Sequence, residues 1–198
     1  QPVRLLVARL VVGEALEHRF GAGRGTQDMI AMFVGTGLGG GIILNGRLYT
    51  GYRGSAGEVG HMILHAEGVM CGCGERGHAE AYASRTGIEK AIMSAIEAGE
   101  PSIIPDLLKA HKRTMLTSAV LEEALEHGDQ VTLRAIEQAQ RYLGYLIASC
   151  INLLDPEAVV IGGGMVERMG EAYVAPAREI ARQHLLNKND MDRVRIVA

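Results

Sequence analysis

Residues 28–49 read DMIAMFVGTGLGGGIILNGRLY, and this stretch decides the fold. Asp28 to Val34 is an apolar run of strand length, GTGLGGG (35–41) is a glycine turn, and IIL (42–44) is a second strand. Asn45-Gly46, the strongest short hairpin signal, returns the chain through RLY (47–49). Upstream, residues 8–19 have the composition of a helix and FGAGRGT (20–26) is a glycine loop. Downstream, residues 50–77 hold many glycines and no periodicity, which predicts a long irregular loop of the kind that carries function. Helices are expected over about 78–97, about 117–127, and from Asp129, a good N-cap, to near Leu153. In the last of these Leu133, Ile136, Tyr142, Leu143, Leu146 and Ile147 fall at helical spacing. EAVVIGGGM (157–165) is a short buried strand running into a glycine turn, followed by a helix from about 170 to 184 and a closing strand in RVRIVA. Hairpin, helices, then strand–turn–helix–strand define an α/β class.

The 198 residues suit one large domain or two small ones. Twenty basic against 23 acidic residues leave a net charge of −3, so no basic excess exists to neutralise a nucleic-acid backbone. Apolar residues at 47% and charged residues at 22% exclude wholesale disorder. Glycine is 26 of 198, roughly twice the usual share, which suggests backbone brought close to a ligand or several tight turns. Met29 to Gly46 is uncharged for 18 residues, but its glycines would ruin a lipid-exposed helix, so no membrane segment is expected. The basic, apolar start lacks a small-residue cleavage site, and two of the three cysteines sit in one CxC. Reduced thiols or a metal site fit that usage better than disulfides, and the expected compartment is cytoplasmic.

Four groups of residues carry chemistry. Val34 to Gly41 reads either as a plain glycine hairpin turn or as a concavity whose N–H groups bind an anion, with the Thr36 hydroxyl as a further donor. His61, Cys71, Cys73 and His78, in the pattern H-x9-C-x-C-x4-H, are the right donors for a closed tetrahedral zinc site. Such a metal would staple a loop with little core of its own, although two buried thiols beside surface histidines is the bland reading. Glu58 and Glu80 flank this loop and are either solvated carboxylates or acceptors for the hydroxyls of a polyol or sugar. Val159 to Met165 is a strand-to-helix turn where a ligand can approach the carboxyl end of the sheet.

In this order, GTGLGGGIILNGRLYTGYRGSAGEVGH, CGCGERGHAE and LLDPEAVVIGGG resemble the ROK family (repressors, open reading frames and kinases), and within it the bacterial glucokinase-like members. The resemblance runs from about Leu6 to Ala198. It implies a single carboxy-terminal domain over 1–198: the carboxy-terminal lobe of an actin-like ATPase/hexokinase (ribonuclease H-like) fold, with a zinc and sugar loop within 55–80. It further implies that Gly35, Thr36, Gly37, Gly39 and Gly40 bind ATP phosphates and that Gly162, Gly163 and Gly164 lie at the nucleotide. Glu58, His61 and Glu80 would hold a hexose, and zinc on His61, Cys71, Cys73 and His78 would organise the loop. A homodimer is implied as well. Ile88, Ile92, Met93, Ile96 and Leu121, outside the clearest core stripe, are candidate interface residues.

Three departures accompany the resemblance. His78 stands where the family has a third cysteine, which makes the zinc site formally neutral. The family's leading strand with its DxGGT phosphate motif, and the amino-terminal lobe it belongs to, are expected to be missing. Where the family carries the aspartate that serves as general base for the sugar hydroxyl, ungapped counting from Phe20 reaches Arg9, which stays protonated and cannot take that proton. The expected parent is an ATP- and Mg²⁺-dependent hexose kinase, this chain alone being inactive. The alternatives are the sugar-sensing effector domain of a ROK transcriptional repressor or a non-catalytic sugar-binding module.

Overall fold

The computed structural model describes residues 21–187 and 192–198. The expected helix over 8–19 and Arg9 lie outside the described residues. Five strands form one sheet: β1 Met29–Val34, β2 Leu38–Leu44, β3 Arg47–Leu48, β4 Ala158–Gly162 and β5 Arg195–Val197, in the order β3-β2-β1-β4-β5. The first three pair antiparallel as a meander, and β1, β4 and β5 pair parallel. Central β1 is apolar at nearly every position because both faces are covered. Ile30, Met32 and Val34 enter the main core with Val159 and Ile161, while Met29 and Ala31 join Ile43, Ala158 and Val160 in a smaller cluster on the opposite face.

Helices cover the main-core face: α1 Glu80–Ala83, α2 Arg85–Glu97, α3 Ile104–Ala110, α4 Ser118–Glu126, α5 Gln130–Leu154, α6 Gly164–Met169 and α7 Glu171–Gln183. The structure splits the helix expected over 78–97 at Ser84, whose extended backbone (ψ 160°) lets its hydroxyl accept the Gly87 N–H and cap α2. Helix α3 went unread because its seven residues begin with Ile104-Pro105, a proline at the helix start that looks like a breaker in a sequence. Three of the apolar residues proposed for an interface, Ile88, Ile92 and Leu121, are buried inside this chain at 1%, 0% and 0% exposure. They fill the space between helices and sheet, so they give no support to a dimer.

The expected turn over 35–41 is much shorter. Only Gly35–Gly37 turn, and Gly39, Gly40 and Gly41 are strand residues paired with Phe33, Met32 and Ala31. Asn45 and Gly46 both have positive φ (53° and 70°), as the Asn-Gly hairpin requires.

Helix α5 starts where expected. The Asp129 carboxylate accepts the Thr132 N–H (2.7 Å) and, from the residue that precedes α3, the Ile103 N–H (2.8 Å). Burial alone would raise its pKa, but these donors outweigh burial and hold the carboxyl below its usual value. The depressed native pKa contributes stability above the unfolded value that is lost as pH falls through the native one. Asp129→Ala should therefore cost about 1–3 kcal/mol at neutral pH, from the lost cap and the unpaired Ile103 N–H. Urea midpoints of the two proteins should converge below about pH 3; a gap independent of pH would contradict this account.

Candidate functional site: a metal-ligand loop beside two glycine turns

The loop between β3 and α1 has almost no regular structure, so its shape comes from backbone contacts with the sheet and from its own short turns. After Glu58 a single 3-10 turn, Val59–His61, lies on β2. The approach is so close that a Cβ on Gly60 would overlap the Leu38 carbonyl oxygen, which leaves glycine alone at that position of GEVGH. The Cβ of any residue at position 40 would meet Val59 at 2.7 Å, so a strand glycine makes room for this turn. Further on, Met70 and Arg76 form an antiparallel bridge around a tight turn in which Gly74 N–H donates to the Cys71 carbonyl (3.1 Å). A second bridge, Ile63 to His78, brings the far end of the loop back beside its start.

The consequence is that His61, Cys71, Cys73 and His78 converge. One ligand atom from each lies within 4.8 Å of all the others. His61 Nδ1 is 3.3 Å from His78 Nδ1, and His78 Nδ1 is 3.2 Å from Cys73 Sγ. Neighbouring ligands on a tetrahedral zinc ion stand about 3.3–3.8 Å apart, so the donor set and the two short contacts at His78 are close to what such an ion takes, within a cluster that spans up to 4.8 Å. Burial pushes the Cys71 thiol up, a shift that metal ligation reverses by taking the thiolate. The third cysteine, Cys150 on α5, is outside the cluster, and burial pushes its thiol up to about 12, which leaves it inert.

Glu80 opens α1 and is half-buried beneath the glycine turn. One of its oxygens accepts the Leu38 N–H (2.9 Å) and the other is 3.5 Å from Cys71 Sγ. It thus touches both the metal-ligand cluster and the start of β2. Glu58 is exposed and its carboxylate does not cap the 3-10 turn that follows it. The sugar candidates are therefore placed in different settings: His61 among the metal donors, Glu80 in a hydrogen-bonded bridge, Glu58 at the surface.

The turn Gly35–Gly37 is clamped from behind. Gly35 carbonyl accepts the Arg85 N–H (2.9 Å), Thr36 carbonyl accepts the Thr86 hydroxyl (2.7 Å), and Gly37 carbonyl accepts the Gly35 N–H (2.9 Å). All three carbonyls are satisfied, while the N–H groups of Thr36 and Gly37 donate to no protein group among the described residues. The second glycine turn adjoins the first: Gly163 has φ 93°, and a Cβ there would sit 2.7 Å from the Val34 carbonyl oxygen. Two turns thus abut at the carboxyl ends of the paired strands β1 and β4, the end of the sheet where open α/β sheets bind ligands. The sequence reading missed Arg85, whose guanidinium donates to the Leu116 carbonyl and to Thr36 Oγ1 (2.6 Å). No spacing in the sequence signals that contact, since 49 positions separate the two side chains.

This geometry, a mixed α/β sheet with two abutting glycine turns and a His/Cys cluster, accords with the comparisons. The family model for the ROK family matches residues 11–198, and the chain belongs to that family. It is 36% identical over 163 residues to a glucokinase of Thermotoga maritima, covering 82% of this chain and 50% of that protein. It is 35% identical over 163 residues to the DNA-binding transcriptional dual regulator NagC of Escherichia coli K12, covering 82% of this chain and 38% of that one. Among solved structures, a ROK family glucokinase of Streptomyces griseus in complex with glucose and AMPPNP superposes with a TM-score of 0.80 at 31% identity. That match covers 96% of this chain and 60% of the other. The chain spans about half the length of the curated glucokinase relatives it matches. A glucokinase and a transcriptional regulator are thus matched at 36% and 35% identity. Among the described residues no helix is long and apolar enough to cross a membrane.

Proposed function

We propose that this chain is the carboxy-terminal lobe of an ATP-dependent hexose kinase of the glucokinase type. The observation that carries the reading is the pair of abutting glycine turns, with N–H groups at Thr36 and Gly37 that have no acceptor among the described residues. A protein that only senses a sugar has no need of an oligophosphate cradle beside it, whereas phosphoryl transfer depends on positioning and neutralising those phosphates. In this reading Gly35, Thr36 and Gly37 form the phosphate side of the site, with Gly39 and Gly40 in the strand that carries the turn, and Gly162, Gly163 and Gly164 the nucleotide side. Glu58, His61 and Glu80 accept or orient the hydroxyls of the hexose.

His61, Cys71, Cys73 and His78 would hold zinc, which supplies a structural cross-link to a loop that has no core of its own. Metal analysis of protein purified without chelator should find about one equivalent, as a closed four-ligand site requires. Less than about a tenth of an equivalent, with Cys71 and Cys73 freely titratable, contradicts the assignment.

The donor, the sugar and catalysis are tested together. Calorimetry should register binding of both inorganic pyrophosphate and glucose to this chain. Sugar-dependent ADP release over glucose, mannose and N-acetylmannosamine should stay at background, because Arg9 stands at the place of the family's base. Turnover above background that Glu58→Gln abolishes would contradict that expectation. The second reading, a regulator's effector domain, is favoured by the 35% identity to NagC. Glucose or another hexose bound without pyrophosphate would select it.

The chain is also proposed to pair as a homodimer, a closed two-fold assembly that saturates at two copies. Sedimentation velocity should give one species at twice the chain mass over a wide concentration range; a clean monomer contradicts it.

A further inference from the structure

Arg85 is a cation that the site as described does not use. It is the first residue of α2, and its guanidinium is fixed at two points, the Leu116 carbonyl and Thr36 Oγ1 at 2.6 Å. Both acceptors are neutral. Glu89, one helical turn along, instead accepts the Leu116 N–H (3.1 Å). The ion pairs of the described residues lie elsewhere, and no carboxylate among the described residues comes within ion-pair distance of Arg85. A guanidinium has five N–H donors, so two bonds to neutral oxygens leave its charge and three donors unmatched.

The surroundings point the same way. Thr36 Oγ1 accepts from Arg85, so its own proton is left to donate. Beside it stand the unpartnered N–H groups of Thr36 and Gly37. A fixed, unneutralised fork, a hydroxyl donor and two backbone donors around a turn exposed at Thr36 form a site for an anion with several oxygens. We propose that Arg85 is a phosphate ligand: its guanidinium takes an oxygen of the nucleotide's oligophosphate over the turn Gly35–Gly37. The inference rests on the nucleotide reading above and adds to it the cation that the glycine turn lacks.

Calorimetry of the full chain with inorganic pyrophosphate, and separately with glucose, tests it. Arg85→Gln should weaken pyrophosphate about ten- to a hundredfold, the usual loss of a charge-assisted contact, and leave glucose affinity unchanged. Unchanged pyrophosphate affinity overturns the proposal. So does an equal loss for both ligands, which would make Arg85 a brace for the Leu116 segment and nothing more. If the unmodified chain binds no pyrophosphate, the nucleotide reading itself falls and takes this inference with it. Should Arg85→Gln not fold, the unmodified chain still decides the question. Pyrophosphate should slow the phenylglyoxal modification of Arg85, read by peptide mass, and an unchanged rate overturns the proposal.

Discussion

The backbone of Leu38 is the point on which the rest of the site depends. Its N–H leaves the sheet to reach the Glu80 carboxylate at 2.9 Å, and its carbonyl lies so close to Gly60 that no side chain fits between them. Leu38 also ends the glycine turn and begins β2 opposite Val34. Three things are therefore registered on one residue: the edge of the sheet, the turn Gly35–Gly37, and the loop that carries His61, Cys71, Cys73 and His78. The loop has few buried side chains, so it takes its position from these backbone contacts rather than from packing. A shift of the loop is transmitted to the turn through Glu80, whose second oxygen faces Cys71.

Much of this was legible in the sequence, for identifiable reasons. Strands β1 and β4 are uniform apolar runs because both of their faces are covered, and the Asn45-Gly46 hairpin has the backbone that its residues demand. Asp129 marks the start of α5 because a short carboxylate is the chemical partner of free helix N–H groups. The four candidate metal donors are legible because thiolates and imidazoles close together in sequence are the donor chemistry of a tetrahedral metal site, and the fold brings all four together. Other features were not legible. Gly39 to Gly41 look like turn residues, yet they are strand residues, and the missing side chain of Gly40 makes room for Val59. That reason lies 19 positions downstream of Gly40 and has no local signature. The bridge from Glu80 to Leu38 and the clamp of Arg85 on Thr36 are likewise long-range. Apolar residues such as Ile88 and Leu121 were read as surplus because the pattern of one helix does not reveal what a sheet behind it can bury.

An imidazole at His78 in place of a third thiolate changes the electrostatics of the cluster more than its geometry. Its Nδ1 reaches within 3.2–3.3 Å of Cys73 and His61, so the imidazole fits the cluster. Two thiolates and two neutral imidazoles leave a bound divalent zinc ion without net charge. The neighbouring Glu80 would then meet a less negative cluster than one with three thiolates, and its hydrogen bond to Leu38 would face less repulsion. Under the proposed kinase reading, the glycine turns would supply phosphate donors and Arg85 a fixed cation, which phosphoryl transfer needs.

The central claim is that the metal-ligand loop and the glycine turn behave as one unit through Leu38. Hydrogen exchange over residues 35–41, measured by mass spectrometry in the zinc-loaded chain and again after chelation, tests it most directly. The account predicts that chelation speeds exchange in this segment while α5, anchored elsewhere by Asp129, keeps its protection. Unchanged exchange over 35–41, with loosening confined to residues 61–78, would contradict it.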